Sequence, residues 1–323
     1  MKHYSVLLNE CIENLNIKED GIYVDATLGY AGHSKEILKR LTTGKLYCFD
    51  NDEIAIKEST KTLSAISNNF KIYHSNFSNM KEKLLEDGVT KVDGILFDLG
   101  FSSPQIDDAT RGFSFMKDGK LDMRMDLDNP FSAKNVVNEY SEEKLKEIFF
   151  RYGEEKTSKA IAKKIVEYRK DKEISTTLEL VEIIKNAVGI KYFKEKHPER
   201  NIFQAIRIEV NKELSVLESV LPDAIDLLNS KGRICVITFH SLEDRIVKKI
   251  FKENSEVSDI FKGLPEIPLE YQARIKLINK HPLVATEKEL LENSRSKSFK
   301  NRKINIWINN ICSCFNTYSK CFF

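Results

Sequence analysis

The chain has 323 residues and carries 51 Lys and Arg against 49 Asp and Glu, a formal net charge of +2. That balance excludes a protein held on nucleic acid by bulk charge alone. With 41% hydrophobic residues the chain can bury one large core or two modest ones, which excludes disorder throughout. No run reaches the roughly 20 apolar residues of a membrane helix, and the opening Met1 to Glu10 lacks a secretory apolar segment, so a cytoplasmic protein is expected. The cysteines Cys11, Cys48, Cys235, Cys312, Cys314 and Cys321 form no CxxC pair and no cluster with histidine, so neither a disulfide framework nor a metal site is indicated.

The first hundred residues alternate strand and helix signals, the pattern of a parallel α/β sheet. Ile22 to Ala26 reads as a buried strand, followed by a turn over Leu28 to His33 and a helix over Ser34 to Leu41. Lys45 to Asp50 is the second strand, with a helix from Ile54 to about Ser67; Phe70 to His74 is the third and Val92 to Asp98 the fourth. Leu99 to Gln105 reads as a loop, and 108–133 as an irregular stretch rich in Asp, Gly and Met. Helical periodicity then takes over. Thr176 and Glu179 stand at capping-box spacing. Phe203, Ile206, Val210, Leu214, Leu217 and Leu221, three or four apart, predict one long amphipathic helix. Strand signals resume at Gly232 to Phe239 and again at Lys303 to Ile308. The simplest organisation is an α/β domain (1–107 and 213–323) interrupted by a helical insert (108–212).

In an open parallel sheet, ligands bind beyond the carboxyl ends of the strands. After the first strand, the glycines of Asp25-Ala26-Thr27-Leu28-Gly29-Tyr30-Ala31-Gly32-His33 let the backbone approach a ligand, although such junctions also carry glycine for steric reasons. Asp50 closes the second strand, placed either to accept the hydroxyls of a ribose or to cap the next helix. The turn is not G-x-G-x-x-G and no phosphate-binding G-x-x-x-x-G-K-[ST] is present, which favours a nucleoside-bearing cofactor over a dinucleotide or a nucleoside triphosphate. Phe77 suits either an adenine face or the core. Asp98, after apolar Ile95-Leu96-Phe97, is costly to bury unless it is used. Ser102, Ser103 and Gln105 bring hydroxyls and an amide just beyond it in the chain.

These segments closely resemble one family, the bacterial 16S ribosomal RNA cytosine-N4 methyltransferases of the RsmH (MraW) type. His3 to Leu8, Asp25 to Ser34, Asp93 to Gln105, Arg111 to Phe115, Leu121 to Asp126, Tyr152 to Glu155, Phe203 to Ile208 and Phe239 to Arg245 carry the resemblance, in order, to about residue 250. It implies a class I, Rossmann-like methyltransferase sheet that ends in an antiparallel strand, with a helical domain inserted after the fourth strand. It implies S-adenosyl-L-methionine as cofactor, held at Ala31, Gly32, His33, Asp50, Phe77, Asp98 and Gln105. The implied target is a cytidine in the decoding centre (P site) of the small ribosomal subunit. Two departures stand out. The family usually has glycine where this chain has Ala31, which is tolerable only at negative φ, and the chain continues past a basic run at 293–298 into an apolar tail.

Methylation of the cytosine amine needs acceptors that orient the NH2 group, for which Asp98, Ser102 and Ser103 are candidates. Arg111, Phe113, Phe115 and Arg124 suit either a flipped base with its phosphates or a structural loop. His240 either borders the substrate, caps the helix that follows or bonds a carboxylate. Two other function classes compete: an enzyme of the same fold acting on DNA amines or small molecules, which the missing Pro-Pro-aromatic run after Asp98 disfavours, and a non-enzymatic RNA-binding assembly factor. Monomer and homodimer are both open. Residues 1–133 hold 16 basic and 21 acidic groups, residues 134–212 hold 18 and 14, and residues 294–323 hold 6 and none. Near-neutrality thus conceals a basic insert and a basic tail. Both are expected to meet phosphates, with Lys297, Lys300, Arg302 and Lys303 setting part of the salt dependence.

Overall fold

The computed structural model describes residues 5–257, 259–261, 267–268, 271–278, 283 and 303–309. In chain order the first part comprises α1 (Leu8–Leu15), β1 (Ile22–Asp25), α2 (Gly32–Leu38), β2 (Lys45–Asp50), α3 (Glu53–Ser64), β3 (Phe70–His74), α4 (Met80–Glu86) and β4 (Val92–Asp98). Seven helices follow: α5 (Ser103–Asp107), α6 (Ala133–Glu139), α7 (Glu142–Arg151), α8 (Ser158–Tyr168), α9 (Thr177–Val188), α10 (Ile190–Lys196) and α11 (Pro198–Asn211). The chain closes with α12 (Glu213–Leu227), β5 (Leu228–Thr238), α13 (Ser241–Ser255), β6 (Ile275–Leu277) and β7 (Lys303–Asn309). It divides into two compact units, one of residues 1–100 and 214–323, the other of residues 101–213. The division read from the sequence lay at 107 and 212; the first boundary falls earlier because Ser102 already caps a helix of the second unit.

The sheet order is β3-β2-β1-β4-β5-β7-β6. Strands β1 to β5 are parallel, while β7 runs antiparallel to both β5 and β6. This is the expected α/β sheet with a closing antiparallel strand. Its order reverses between β1 and β4, which opens a crevice at their carboxyl ends. Side chains alternate between two apolar layers, as a strand requires. Val24, Phe49, Ile95, Phe97, Ile234 and Val236 enter one layer with Leu217 and Leu221 of α12. Tyr23, Leu46, Cys48, Leu96, Cys235 and Ile237 enter the other with Cys11 and Leu15 of α1 and Ile37 of α2. Strands buried on both faces read as unbroken apolar runs, which is why the parallel strands were easy to locate.

Three local expectations change. The stretch after Asp98 is not all loop, because Ser102 and Gln105 form a capping box and Pro104 sits in the first turn of α5. Thr176 caps α9 by accepting from Glu179 N at 3.3 Å, but the Glu179 carboxylate reaches back to Ser175 N at 2.8 Å instead of Thr176. The long helix expected across 203–221 is two helices, broken at Lys212, whose φ is +52°. Its stripe serves two cores: Phe203, Ile206 and Val210 pack in the helical unit, Leu217 and Leu221 in the sheet unit. Periodicity continues across the break because each segment has its own apolar side to bury.

Of the described residues, none belongs to a helix long and apolar enough to cross a membrane. His3, Tyr4, Lys297, Lys300, Arg302, Cys312, Cys314 and Cys321 lie outside the described residues. At the break, Arg207 of α11 clamps Glu213 through Nε to Oε1 at 2.8 Å and Nη2 to Oε2 at 2.9 Å. Both side chains are about one-tenth exposed, so removing one partner strands a desolvated charge. Glu213→Ala should destabilise the helical unit by about 3 kcal/mol in urea unfolding of the full chain; a loss below about 1 kcal/mol would show that water replaces the carboxylate.

Candidate active site

Three strands end in a carboxylate. Asp25 closes β1 and is 1% exposed; its Oδ2 accepts from Ser34 Oγ at 2.6 Å and its Oδ1 from Thr27 N at 3.1 Å. Burial pushes its pKa up, opposed by the charge of nearby His33. Asp50 closes β2. Its Oδ2 accepts from Gly29 N at 2.7 Å and its Oδ1 from Asp52 N at 2.8 Å, and burial against these bonds pushes its pKa up to about 6. The helix cap that the sequence offered as an alternative role for Asp50 belongs to Asp52, which accepts from Ile54 N at 3.0 Å. Among the described residues no cation pairs with Asp50. Asp98 closes β4, its N–H donating to Thr27 Oγ1 at 2.7 Å and its Oδ2 lying 3.6 Å from His33 Nδ1.

The turn after β1 brings these groups together. Its first corner is Gly29 at φ +48°, whose carbonyl accepts from Ser59 Oγ of α3 at 2.7 Å. Ala31 caps α2 at φ +59° and is fully buried, so the condition of negative φ set for an alanine here is not met. The methyl group is accommodated inside the apolar layer with Leu28 and Ile37, and the backbone bears the left-handed strain. At Gly32 a Cβ would meet Ser5 Oγ at 1.6 Å, so the segment before α1 lies directly against the turn. His33 is 5% exposed and its Nε2 lies 3.1 Å from the Val6 carbonyl of that same segment.

Other expected site residues take structural positions. Phe77 is half-buried on the sheet core, edge-on to Phe97 with centroids 5.7 Å apart. His240 caps α13 in a capping box with Glu243, and its Nε2 lies 3.3 Å from Glu243 Oε1, so its helix-cap and carboxylate roles both hold. In the helical unit, buried Gln105 accepts from Ser102 N at 2.9 Å, and Ser103 opens α5. Buried Arg111 donates to the Arg124 and Met125 carbonyls at 3.0 and 3.3 Å. Arg124 forks onto Asp122 at 2.9 and 2.8 Å and donates to the Leu127 and Asn129 carbonyls. Phe113 stacks on Phe101 at 5.4 Å, and Phe115 meets Phe203 edge-on at 5.9 Å. Both guanidiniums donate to carbonyls of residues 124–129 and both rings are packed in the helical unit. These contacts are the ones that the structural-loop alternative for the four residues calls for.

Sequence reasoning missed Asp25, Thr27, Ser34 and the Val6 carbonyl. Asp25 was detectable, since it ends an apolar strand just as Asp98 does. Thr27 and Val6 carry no local signal, because their partners stand 71 and 27 positions away.

A doubly wound sheet with ionisable groups gathered around a glycine-bearing turn defines an α/β enzyme of the nucleoside-cofactor type. The model of the MraW methylase family matches residues 1–306, and the chain belongs to that family. It is 52% identical over 302 residues to a protein of Exiguobacterium sibiricum, covering 93% of this chain and 97% of that one. It is 50% identical over 309 residues to one of Finegoldia magna and 54% over 303 residues to one of Mycoplasma mycoides, with the same coverage of 93% and 97%. All three are named ribosomal RNA small subunit methyltransferase H. Likeness to a solved rRNA methylase of Streptococcus thermophilus is distant: 11% identity, TM-score 0.40, covering 95% of this chain and 99% of that one.

The strain at Ala31 is testable. Ala31→Gly should stabilise the protein by about 0.5–1 kcal/mol, the left-handed penalty relieved less the added chain entropy of glycine. Chemical denaturation checks it; a destabilised variant would mean that the buried methyl group outweighs the strain.

Proposed function

We propose that this protein transfers a methyl group from S-adenosyl-L-methionine to the exocyclic N4 amine of a cytidine in small-subunit ribosomal RNA, in the decoding centre at the P site. Family membership and the names of its half-identical relatives support methylation of that RNA. The observation that carries the cofactor reading is Asp50: a half-buried carboxylate at a strand end, held by two backbone N–H groups and, among the described residues, no cation. Each of its oxygens keeps a lone pair for a hydroxyl, so the donor set fits a ribose. Ala31, Gly32, His33, Phe77 and Gln105 are assigned to the same cofactor by resemblance, with the turn giving close backbone approach. When bound, the cofactor supplies an electrophilic methyl group on a sulfonium.

The chain's own part is orientation. A cytosine amine is a weak nucleophile because its lone pair is delocalised into the ring, and it must leave the base stack to be reached. Asp98 is one-quarter exposed, and its carboxylate accepts an N–H of that amine and fixes the nitrogen, with Ser102 and Ser103 as further hydroxyl candidates. Positioning of this kind supplies about 7–11 kcal/mol of the barrier. The amine proton leaves after attack, so no strong base is needed beforehand. Asp98→Ala should abolish tritium transfer from labelled cofactor to small subunits lacking the modification, and mass mapping should place the wild-type label on a cytosine. Retained transfer with unchanged cofactor affinity would remove Asp98 from this role. Label on another base or on free nucleosides would favour a different substrate class, and no transfer at all an assembly factor.

Two further expectations follow from the site and from the charge distribution. The hydroxyls prefer ionised Asp50, so S-adenosylhomocysteine affinity should be level above pH 6 and fall up to about tenfold per unit below it. Calorimetric titration at several pH values measures this, and affinity flat down to pH 5 would contradict it. In the helical unit, Lys191, Lys194 and Lys196 of α10 are exposed and are assigned to RNA phosphates, alongside the basic tail. Replacing all three by Gln should lower the slope of log K against log salt by about 2; an unchanged slope would place the phosphate contacts elsewhere.

A further inference from the structure

His33 faces an acceptor at each ring nitrogen. Nε2 lies 3.1 Å from the Val6 carbonyl oxygen, which can only accept, so that nitrogen carries a proton. Nδ1 lies 3.6 Å from a carboxylate oxygen of Asp98. A neutral ring protonated at Nε2 would turn a lone pair toward that carboxylate. Flipping the ring would put carbon in place of nitrogen against both oxygens and lose the bond to Val6, so the orientation with a nitrogen on each oxygen is the favoured one. A second proton, on the ring or on Asp98, ends the conflict. Imidazole is the more basic group by about 2.5 pK units. The Asp98 side chain is also one-quarter exposed, so water helps hold its charge; the ring, 5% exposed, loses hydration on charging, which the Asp98 carboxylate and the Val6 carbonyl offset.

We infer that His33 is held as a doubly protonated imidazolium between the Val6 carbonyl and Asp98, a positioning residue that keeps Asp98 ionised and oriented for the amine. Among the described residues, the titratable groups facing this pair include Asp25, whose carboxylate is bonded to the neighbouring Ser34, and the thiol of Cys11 on α1. Burial pushes that thiol up, so it stays neutral, and Asp25 adds negative potential that further favours the ring's charge. The cation is thus delivered by α2 and fixed by the segment before α1, whose Ser5 rests on Gly32. Asp50, without such a cation, titrates up near 6, whereas Asp98 is held ionised by one.

The role in catalysis rests on the methyl-transfer reading; the protonation state does not. Nitrogen NMR of the full chain with labelled histidine reads the state directly. The His33 signals are assigned by their loss in His33→Gln or, if that variant does not fold, by elimination with Gln variants at His3, His74, His197, His240 and His281. Both ring nitrogens of His33 should be protonated from pH 6 to 8, and in Asp98→Asn the proton affinity should fall at least tenfold. A neutral ring at pH 7, or the same titration in Asp98→Asn, overturns the inference. In His33→Gln, methyl transfer should fall about tenfold more than in the wild type between pH 7 and 5.5, as Asp98 titrates without its cation. A loss equal at all pH values would make His33 merely structural. An imidazolium in a protein that methylates no subunit would overturn the functional reading and leave the proton assignment intact.

Discussion

Negative charge drawn out of water at the carboxyl ends of a parallel sheet has to be compensated, and the sheet unit does this in three ways. Asp25 takes a serine hydroxyl and a backbone N–H, Asp50 takes two backbone N–H groups, and Asp98 takes an imidazole. The backbone groups come from the turn after β1 and the turn that starts α3, so the conformation of those turns and the state of the carboxylates are one problem. This explains why a left-handed Ala31 is tolerated. The strain of about 1–2 kcal/mol is small beside the several kcal/mol needed to leave a carboxylate buried with nothing to bond.

The three solutions also divide the labour. A carboxylate satisfied only by amides retains acceptor capacity and gives it up readily to a proton, which suits reversible binding of a sugar. One facing an imidazolium keeps its charge over a wider pH range, which suits holding a reacting amine. Asp25, closed in by Ser34 and Thr27, is left to shape the turn. The same residue type at the same place in the fold thus acquires different chemistry from its partners alone.

Much of this was legible in the sequence. Strands buried on both faces announce themselves as apolar runs, and an acidic residue ending such a run is conspicuous, so β1, β2, β4, β5, Asp50 and Asp98 were found by one rule. The helix break at Lys212 was hidden, since Phe203 to Leu221 keep helical spacing while serving two cores. Arg111 and Arg124 stayed ambiguous in the sequence for a related reason: cations beside aromatics look the same whether they await a phosphate or lock a loop through carbonyls. The Val6 carbonyl could not be seen at all, because a backbone oxygen has no letter.

The titration of the strand-end carboxylates, followed by carbon NMR in the free protein, tests the central claim most directly. Asp50 should change charge near pH 6 while Asp98 remains ionised well below that pH. Asp50 titrating at an ordinary value near 4, or the two titrating together, would contradict the view that partners at the strand ends set what each carboxylate does.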